Sequence, residues 1–509
     1  MSDSREIEIK LAASPEMLAM LLDDPALGGP PTRKKLSAVY FDTVDWRLQK
    51  AGIALRLRSD AEGSEQTLKS GLDGHGGPLV RGEWNVPASG DFPVLANFPE
   101  AARSLLEPVV ERRRLWAYAR IETDRTTRTM LFRDSVIELA FDRVRIVAGE
   151  TVVDYCELEL ELVQGNHADL LYCVLELPLG PGLAWSTSSK SDRGYRLAAG
   201  LGDTAIKARR VVLDPAMTAA EAFRAIAWNC LGHFLANYLV VARARQVEAL
   251  HQSRVALRRL RAACSIFGEL IADDRSDRIR HELRSAGLLL GDGRDLDVLL
   301  ETLRARDADA EPDPEAAADL VIELGRQRER AYDRIVALVH SEPFQRLLFE
   351  TALWIEDGAW SHHGSVDAVE FAAGVLRRRR RKIHHALATL ATLAPDERHR
   401  LRIAVKKLRY AAEFFATMFA TSGEAMRAQK SFATALATLQ DRLGELNDIA
   451  SGRDAARTEF PEHGDADRTR LAEALDHMLE AQEGTEQALL DGAADAGDVA
   501  MAAARYWKR

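Results

Sequence analysis

Charged residues alternate with apolar ones in several short segments of the first two hundred residues. The clearest segment is 157–162, in which Glu157, Glu159 and Glu161 alternate with leucines. Successive side chains of a β-strand point to opposite faces, so the three carboxylates share one face. Aligned carboxylates repel one another unless solvent or a cation neutralises them. The segment therefore predicts a strand whose polar face is either solvated or a metal site.

Other segments repeat this alternation with different charges. Segment 6–10 places Glu6, Glu8 and Lys10 on one face, and segment 55–58 places Arg56 and Arg58 together. By itself, segment 6–10 is also typical of an ordinary solvated strand. Because acidic and basic residues segregate by strand, we predict a barrel with a polar interior that has an anion side and a cation side. Arginine and lysine clamps with a carboxylate-bound Mg²⁺ or Mn²⁺ suit the hydrolysis of a triphosphate.

The chain changes character near residue 203. Strand-like runs dominate before it, and long helical patterns rich in alanine, leucine and arginine follow from about residue 215. A chain of 509 residues is long enough for two or more domains. The net charge of −10 argues against a protein that coats nucleic acid through bulk electrostatics. The long apolar stretch 222–242 contains Arg224 and His233, so we predict a buried helix and not a membrane span.

The first part of the chain resembles the CYTH family, the triphosphate tunnel metalloenzymes. The resemblance covers residues 5–202 and rests on EIEIK (6–10), YFDT (40–43), LRLR (55–58), TLK (67–69), RGEW (81–84), the run ending in Asp142, ELELEL (157–162) and SKSDRGYRL (189–197). It implies an eight-stranded antiparallel tunnel that holds metal ions and phosphates.

The resemblance also implies roles for individual residues. The metal ligands would be Glu6, Glu8, Asp142, Glu157, Glu159 and Glu161. The substrate-binding set would be Lys10, Arg56, Arg58, Lys69, Arg81, Arg128, Lys190 and Arg193. Arg125, or one of Arg112 to Arg114, is an alternative to Arg128, because the spacing in that part of the motif is loose.

The helical part contains a repeat. His251, Arg254, Arg258 and Arg261 recur as His399, Arg402, Lys406 and Arg409 with the same spacing. At about 100° per residue, each set forms one basic stripe along a helix, beside an apolar one. Each copy is followed by a Leu-Gly stretch, at 290–296 and 443–449. We interpret the pair as an internal duplication.

A run of six cations, 377–382, adds a third basic segment. Such a run distributes around all faces of a helix, so it is interpreted either as a solvated surface or as part of the same site, with Arg378 and Arg381 as its contribution. The helical part resembles the CHAD family over residues 217–505. That resemblance implies two four-helix bundles, 217–360 and 365–505, whose basic face binds inorganic polyphosphate.

We therefore predict a multidomain α+β protein, with a tunnel domain at 1–202, a linker at 203–216 and a helical domain at 217–505. The expected activity is metal-dependent hydrolysis of inorganic triphosphate to phosphate and pyrophosphate, by water and without a side-chain nucleophile. The alternatives are a non-catalytic polyphosphate-binding adaptor, a class IV type adenylate cyclase and a thiamine triphosphatase. Expected partners are triphosphate and polyphosphate, and neither nucleic acid nor a membrane.

The compartment is predicted from the cysteines and the first residues. Four cysteines lack the spacing of a disulfide framework or a zinc site, and MSDSREIEIK does not read as a secretory signal. We therefore expect a cytoplasmic location, with association with polyphosphate granules.

Overall fold

The computed structural model describes residues 5–71, 79–305, 313–362, 366–459, 470 and 486–507, without the side chains of 362, 447–459 and 486. The chain divides into two compact units. The first comprises Met1–Ala208, Trp228–Ser253 and Val336–Gly358, and the second comprises Arg209–Ala227, Arg254–Ile335 and Ala359–Arg509.

The first unit is built around an antiparallel β-sheet. Its strands are β1 (Arg5–Ala13), β2 (Thr32–Thr43), β3 (Ile53–Ser59), β4 (Ser64–Ser70), β5 (Val80–Pro87), β6 (Leu115–Phe132), β7 (Ser135–Ala148), β8 (Thr151–Gln164) and β9 (Leu183–Ser186). The order is β5-β4-β3-β2-β6-β7-β8-β1, and β1 also pairs with β5. Eight strands therefore close into a barrel, which confirms the predicted tunnel fold.

Strand β1 closes the barrel and carries the charged segment 6–10 into it. One edge of β1 pairs with β8, with Glu8 opposite Glu161, and the other edge pairs with β5, with Glu6 opposite Arg81. The rest of that second edge pairs with β9, with Lys10 opposite Ser186. Because side chains alternate along each strand, this register points the charged residues of β1, β5 and β8 into one interior.

Apolar side chains cover the outside of the barrel and close one end of it. The short helices of this part are α1 (Pro15–Asp23), α2 (Arg47–Lys50), α3 (Glu100–Val110), α4 (His167–Leu175) and α5 (Lys190–Ala198). Leu55 and Leu68 pack with Leu106 of α3 in one core. Tyr118 and Val144 form another core, against which α5 packs.

The helical segments follow the barrel in sequence. They are α6 (Ala219–Leu235), α7 (Tyr238–Ala244), α8 (Val247–Ile266), α9 (Ser276–Arg304), α10 (Pro314–Val339), α11 (Glu342–Asp357), α12 (Ala368–Leu387), α13 (Pro395–Phe414), α14 (Gly423–Glu459) and a last described helix, Glu486–Ala502. This confirms the predicted change from strands to helices. In the second unit, α12, α13, α14 and the last helix pack as a four-helix bundle.

The duplicated helices meet through their matched aromatic residues. The rings of Phe267, at the end of α8, and Phe415, at the end of α13, lie 5.8 Å apart between centroids. Phe371 stacks on Phe267 at 4.7 Å. The two copies of the repeat therefore share one aromatic core in the second unit.

Two helices that the sequence assigns to the helical part pack against the barrel in the first unit. The hydroxyl of Tyr238, in α7, donates a hydrogen bond of 2.5 Å to the carbonyl of Trp185 in β9. Gln345, in α11, accepts one of 3.1 Å from the Trp185 amide, and Phe349 stacks on the Trp185 ring at 4.1 Å. These contacts attach α7 and α11 to the short ninth strand.

One described helical stretch, Ala219–Ala244, is long and apolar enough to cross a membrane. Of its apolar window, 78% is buried inside the protein. This burial agrees with the sequence interpretation of a core helix, since its polar residues would be costly in a bilayer.

Gly165 provides a test of the barrel's turn into α4. Its φ is +121°, and an added β-carbon would overlap the Oγ of buried Ser135, which bonds to Asp169 at 2.6 Å. We expect Gly165→Ala to lower the free energy of unfolding by about 2–3 kcal/mol. Gly149→Ala is the control, because its φ is +57° but open space surrounds it; its cost should be about 1 kcal/mol. Equal losses in urea unfolding would contradict a steric role for Ser135 at this turn.

Candidate active site

Three buried carboxylates converge inside the barrel. Asp142 of β7 lies opposite Glu157 of β8 in the strand register, and Glu159 follows two residues later on the same face. One carboxylate oxygen from each lies within 4.8 Å of the other two. We call Asp142, Glu157 and Glu159 the carboxylate triad. Its geometry brings three oxygen ligands to one point, as a hard divalent cation requires.

Three cations hold the triad in place. The Lys190 ammonium donates to Asp142 at 2.8 Å and to Glu159 at 2.9 Å, and it also contacts Glu157. The Arg125 guanidinium forms a two-bonded fork with Asp142, at 2.8 and 2.6 Å, and contacts Glu159. Lys10 contacts Glu159 as well. Each carboxylate of the triad therefore has a positively charged partner.

The start of α5 determines where Lys190 points. The Ser189 hydroxyl accepts a hydrogen bond from the Asp192 amide at 3.1 Å, and the Asp192 carboxylate accepts from the Ser189 amide at 3.1 Å. This reciprocal capping box fixes the first turn of the helix. Gln49 further holds Asp192 at 3.0 Å. Lys190, the first residue of the helix, is thereby directed at the triad.

A second group of charges lies along β1, β3, β4 and β5. Lys69 donates to both oxygens of Glu6, at 2.7 and 2.6 Å, and lies 3.1 Å from Glu83. Arg56 approaches Glu83 only to 3.9 Å and the Tyr40 hydroxyl to 3.4 Å. Its Nε is buried and has no hydrogen-bond partner. The Arg56 guanidinium therefore retains hydrogen-bonding capacity that an anion could use.

Glu8 and Lys10 join the two groups. The Lys10 ammonium donates to Glu8 at 2.5 Å, and Arg81 lies 3.9 Å from the other Glu8 oxygen. Acidic and basic side chains therefore alternate through the interior, and the predicted separation into an anion side and a cation side is wrong. The physical reason is burial, since an unpaired charge inside a protein is much more costly than a paired one.

Burial and pairing shift the pKa values of Glu157 and Glu159 in opposite directions. Burial raises the pKa of Glu157, and its neighbour Glu159 adds to this effect against the pull of Lys190. Burial would also raise the pKa of Glu159, but Lys10, Lys190 and Arg125 together hold it well below its usual range. Glu159 is therefore firmly ionised, as a metal ligand should be.

The pKa values of Glu6 and Glu8 are also shifted in opposite directions. Burial raises the pKa of Glu6 to about 7, despite the opposing effect of Lys69. Burial acts on Glu8 too, but Lys10 and Lys69 overcome it and lower the pKa of Glu8 to about 2. Two glutamates only two residues apart thus differ in charge near neutral pH. Of the pair, Glu8 is the better ligand for a cation.

The carboxylates fit a divalent metal ion. Two buried oxygens, Oε1 of Glu8 and Oε2 of Glu157, have no hydrogen-bond partner. An unpartnered buried oxygen is costly unless a further ligand satisfies it. Carboxylate oxygens are the ligands that Mg²⁺ and Mn²⁺ prefer. The donor set therefore suits either metal, with Asp142, Glu157, Glu159 and Glu8 as its nearest ligands.

Other predicted residues lie further from the triad. Glu161 faces the second group, where burial raises its pKa and Lys69 opposes the shift. Arg58 forms its salt bridge with Glu65, at 2.5 Å. Arg193 stacks on the Tyr155 ring, with its guanidinium carbon 4.2 Å from the centroid. These three residues are in the first unit, but they do not contact the triad.

Arg128 does not take its predicted position in the tunnel. Its guanidinium donates four hydrogen bonds to backbone carbonyls, those of Leu22, Asp24, Gly28 and Gly29, at 2.6 to 3.1 Å. Arg125, three residues earlier, faces Asp142 across the β6–β7 ladder and faces the interior. The prediction failed because Arg125 and Arg128 lie on opposite faces of one strand, and the loose spacing did not fix the register.

One interior residue of β5 was absent from the predicted set. Glu83 is two residues after Arg81 on β5, and its pKa falls to about 2 because Lys69 and Arg56 overcome the effect of burial. Strand periodicity from Arg81 could have identified it. Of the alternatives to Arg128, Arg113 bonds to Asp45 at 3.1 Å on the exposed side of the chain. Arg125 was the alternative that the structure brings to the triad.

The second unit contains a separate cluster of cations, drawn from both copies of the repeat. Lys406 is half-buried, and burial lowers its pKa to about 8, with Arg402 and Arg409 of α13 and Arg258 and Arg254 of α8 adding repulsion. We call these five residues the basic helical face. Their mutual repulsion requires an anion or acidic partners for its relief.

Glycines of the repeat give the arginines of this face room to lie against a neighbouring helix. A β-carbon at Gly291 would lie 3.5 Å from a terminal nitrogen of Arg254, and one at Gly444 would lie 3.8 Å from Arg402. Arg254 also donates to the Gly291 carbonyl at 3.2 Å and to Asp295 at 2.8 Å. The matched Leu-Gly stretches of the sequence therefore position the matched arginines.

The remaining predicted cations of the helical part are not among the five residues of the basic helical face. Arg261 lies beside Lys407, whose pKa is lowered by burial and by Arg379, Arg261 and Lys382. In the run 377–382, Arg379 and Lys382 therefore lie near Lys407 of α13. Arg378 lies beside Arg379, and both Arg378 and Arg381 are exposed. His251 and His399 begin the two stripes on α8 and α13, half-buried and exposed respectively.

Comparison with known families agrees with both parts of this description. The CYTH domain family matches residues 4–195, and the CHAD domain family matches residues 225–457. The chain is a CYTH–CHAD protein. The sequence resemblance to both families is thereby confirmed.

Individual proteins are similar to parts of this chain. The chain is 31% identical over 202 residues to a protein of Haemophilus influenzae named inorganic triphosphatase, a match that covers 38% of this chain and about half (55%) of that relative. It is 27% identical over 417 residues to an uncharacterized protein of Mycobacterium tuberculosis, covering 75% of this chain and 76% of that protein. The crystal structure of the CHAD domain from the plant Ricinus communis is 26% identical and covers 57% of this chain and 97% of its own, with a TM-score of 0.48.

Arg128 provides a test of its position in the CYTH domain. Arg128→Ala removes four hydrogen bonds to carbonyls, so we expect the free energy of unfolding to fall by about 3 kcal/mol. The KM for tripolyphosphate of the folded protein should stay within about twofold, since Arg128 does not face the triad. Thermal unfolding and steady-state phosphate release would measure the two effects. A large rise in KM with unchanged stability would indicate that the Arg128 side chain faces the interior of the tunnel.

Proposed function

We propose that this CYTH–CHAD protein is a metal-dependent triphosphatase. It hydrolyses inorganic triphosphate to phosphate and pyrophosphate in the tunnel, and it binds inorganic polyphosphate on the basic helical face. The observation that carries the proposal is the buried carboxylate triad, interlocked with Lys10, Arg125 and Lys190 inside a closed barrel.

The carboxylates would hold the metal. Asp142, Glu157 and Glu159 offer converging oxygens, and Glu8 adds a buried oxygen that has no hydrogen-bond partner. A bound Mg²⁺ or Mn²⁺ would polarise a phosphoryl oxygen and lower the pKa of water. No nucleophilic serine, cysteine or histidine is assigned to the reaction, so water is the attacking group.

The cations would hold the triphosphate. Arg56 and Arg81 make only long contacts with carboxylates, at 3.9 Å, and the Nε of Arg56 is unpartnered. A guanidinium in this state gains charge-assisted hydrogen bonds from a phosphate without losing strong ones. Lys10 is buried and Lys69 and Lys190 are half-buried. All three contact interior carboxylates and add positive charge there. Together these groups would orient the chain of phosphates and stabilise charge that develops on its oxygens.

The relatives support the substrate class. The Haemophilus influenzae protein named inorganic triphosphatase matches this chain over 202 residues. Release of phosphate from tripolyphosphate, with and without Mg²⁺ or Mn²⁺, tests the activity directly. Formation of a cyclic nucleotide from ATP would favour an adenylate cyclase, faster turnover of thiamine triphosphate would favour that substrate, and no turnover at all would favour a binding adaptor.

The basic helical face supports polyphosphate binding. Five cations from α8 and α13 form this face around Lys406, and their repulsion lowers its pKa. A polyanion would relieve that repulsion with many phosphates at once, which gives affinity through counterion release. Competition between polyphosphate and DNA at one salt concentration would separate these two ligands. The four cysteines are free thiols, which is typical of a reducing compartment and supports the proposed cytoplasmic location.

Glu159→Gln tests the role of the triad. Loss of this carboxylate charge removes a metal ligand, so we expect kcat/KM for tripolyphosphate to fall at least about a hundredfold. Circular dichroism should show that the fold is retained. Glu122→Gln is the matched control, because Glu122 is exposed on the outer face of β6. Full activity in the Glu159 variant would refute metal ligation by this residue.

Lys406 gives the polyphosphate site a pH dependence. Its pKa is about 8, so its ammonium is present below that pH and is lost as the pH rises through it. Polyphosphate raises the pKa again, so binding above pH 8 must take up a proton. We expect affinity to fall about tenfold between pH 8 and 9.5 at constant ionic strength. Lys406→Arg keeps its charge and should show a flatter profile in calorimetric titrations; parallel profiles would contradict the assignment.

A further inference from the structure

A further group of cations in the first unit lies outside the carboxylate triad. It consists of Arg193 and Arg196 on α5, Arg243 on α7 and His340 before α11. The Arg193 guanidinium stacks on the Tyr155 ring at 4.2 Å, while its Nε and the Tyr155 hydroxyl are both buried without a hydrogen-bond partner. Two polar groups at this point therefore lack the partners that burial normally demands.

Arg243 is the outermost cation of the group. Its side chain is exposed, and among the described residues it forms no salt bridge or hydrogen bond. Burial around its head group and repulsion from Arg193 and Arg196 lower its pKa, against attraction from Asp203. Burial and repulsion from Arg243 lower the pKa of His340.

Asp203 is the acidic side chain that opposes this group. It lies 3.5 Å from Arg196, so it is already engaged with one of the three guanidinium groups. Among the described residues, this group of three arginines and an imidazole forms a salt bridge with one carboxylate, that of Asp203. The remaining positive charge is what an anionic ligand would neutralise.

Helix α5 connects this group to the triad. Lys190 contacts all three triad carboxylates, Arg193 follows three residues later, and Arg196 follows after three more. Residues three apart on a helix are neighbours, with about 5–6 Å between their β-carbons. Lys190 and Arg193 are both half-buried and Arg243 is exposed, so the cations lead from the interior to the surface.

We propose that Arg193, Arg196 and Arg243 form an outer phosphate subsite, which binds the phosphates of a linear polyphosphate that extend beyond the three held at the triad. This inference rests on the proposed triphosphatase function and specifies its substrate class. The tunnel then accepts linear chains of four or more phosphates, and Arg243 selects for chain length. The chemistry of the proposed reaction is unchanged, since water attacks a phosphorus and a phosphoanhydride bond breaks.

Steady-state hydrolysis by the full-length protein tests this subsite. The substrates are tripolyphosphate, linear tetraphosphate and ATP, whose triphosphate ends in ribose and not in a fourth phosphate. In Arg243→Ala we expect the ratio of kcat/KM for tetraphosphate to that for tripolyphosphate to fall about tenfold, mainly through KM. Arg243→Lys keeps the charge and should recover part of the ratio. Arg145→Ala is the matched control, because Arg145 is an exposed arginine on the outer face of β7.

An unchanged ratio in Arg243→Ala would overturn the subsite, and so would an equal loss with ATP. If no form of the protein hydrolyses tripolyphosphate, the triphosphatase proposal fails and the subsite is tested by binding. Calorimetric titration of metal-free protein with tetraphosphate should then show weaker binding in Arg243→Ala than in Arg145→Ala. Binding to the basic helical face is common to both variants and cancels in this comparison. Equal affinities would overturn the subsite independently of catalysis.

Discussion

Three carboxylates can lie together inside this protein only because lysine and arginine side chains contact them. Removing a charge from water is costly, and a buried pair recovers that cost only with close, well-satisfied partners. The Lys190 ammonium contacts all three carboxylates, those of Asp142, Glu157 and Glu159. The Arg125 guanidinium donates two hydrogen bonds to Asp142. The same contacts hold the groups in position before a substrate arrives, which is the preorganisation that electrostatic catalysis needs.

The tunnel and the basic helical face differ in how their charged side chains are arranged. In the tunnel, acidic and basic side chains alternate, so a metal and a polyanion could enter together and exchange partners within an almost balanced network. On the basic helical face, Lys406 is surrounded by four arginines and its pKa falls to about 8. Positive charge is in excess among these five residues, which is the basis of the proposal that they bind a polyanion. The first arrangement suits metal-assisted chemistry, and the second suits binding.

Strand periodicity predicted a barrel with charged side chains inside it, and the family resemblance added the eight-stranded tunnel. Glu6, Glu8, Glu157 and Glu159 carry a two-residue repeat that leaves few registers possible. It could not distinguish Arg125 from Arg128, since both lie on one long strand, β6, and only the pairing with Asp142 decides which faces inward. The packing of α7 and α11 on β9 was also unpredictable, because long-range contacts such as Tyr238 to Trp185 leave no local pattern in the sequence. In the helical part, the repeat predicted the stripes, but the partners of Arg261 depended on helix packing.

The central claim is that the triad binds a divalent metal ion inside the tunnel. Anomalous X-ray diffraction from crystals of the protein soaked in Mn²⁺ measures this most directly. We predict a manganese peak within about 2.0–2.6 Å of oxygens of Asp142, Glu157 and Glu159. It should vanish when Mn²⁺ is replaced by an excess of Mg²⁺. Manganese found only on the outer surface, in crystals of protein that hydrolyses tripolyphosphate, would contradict the account.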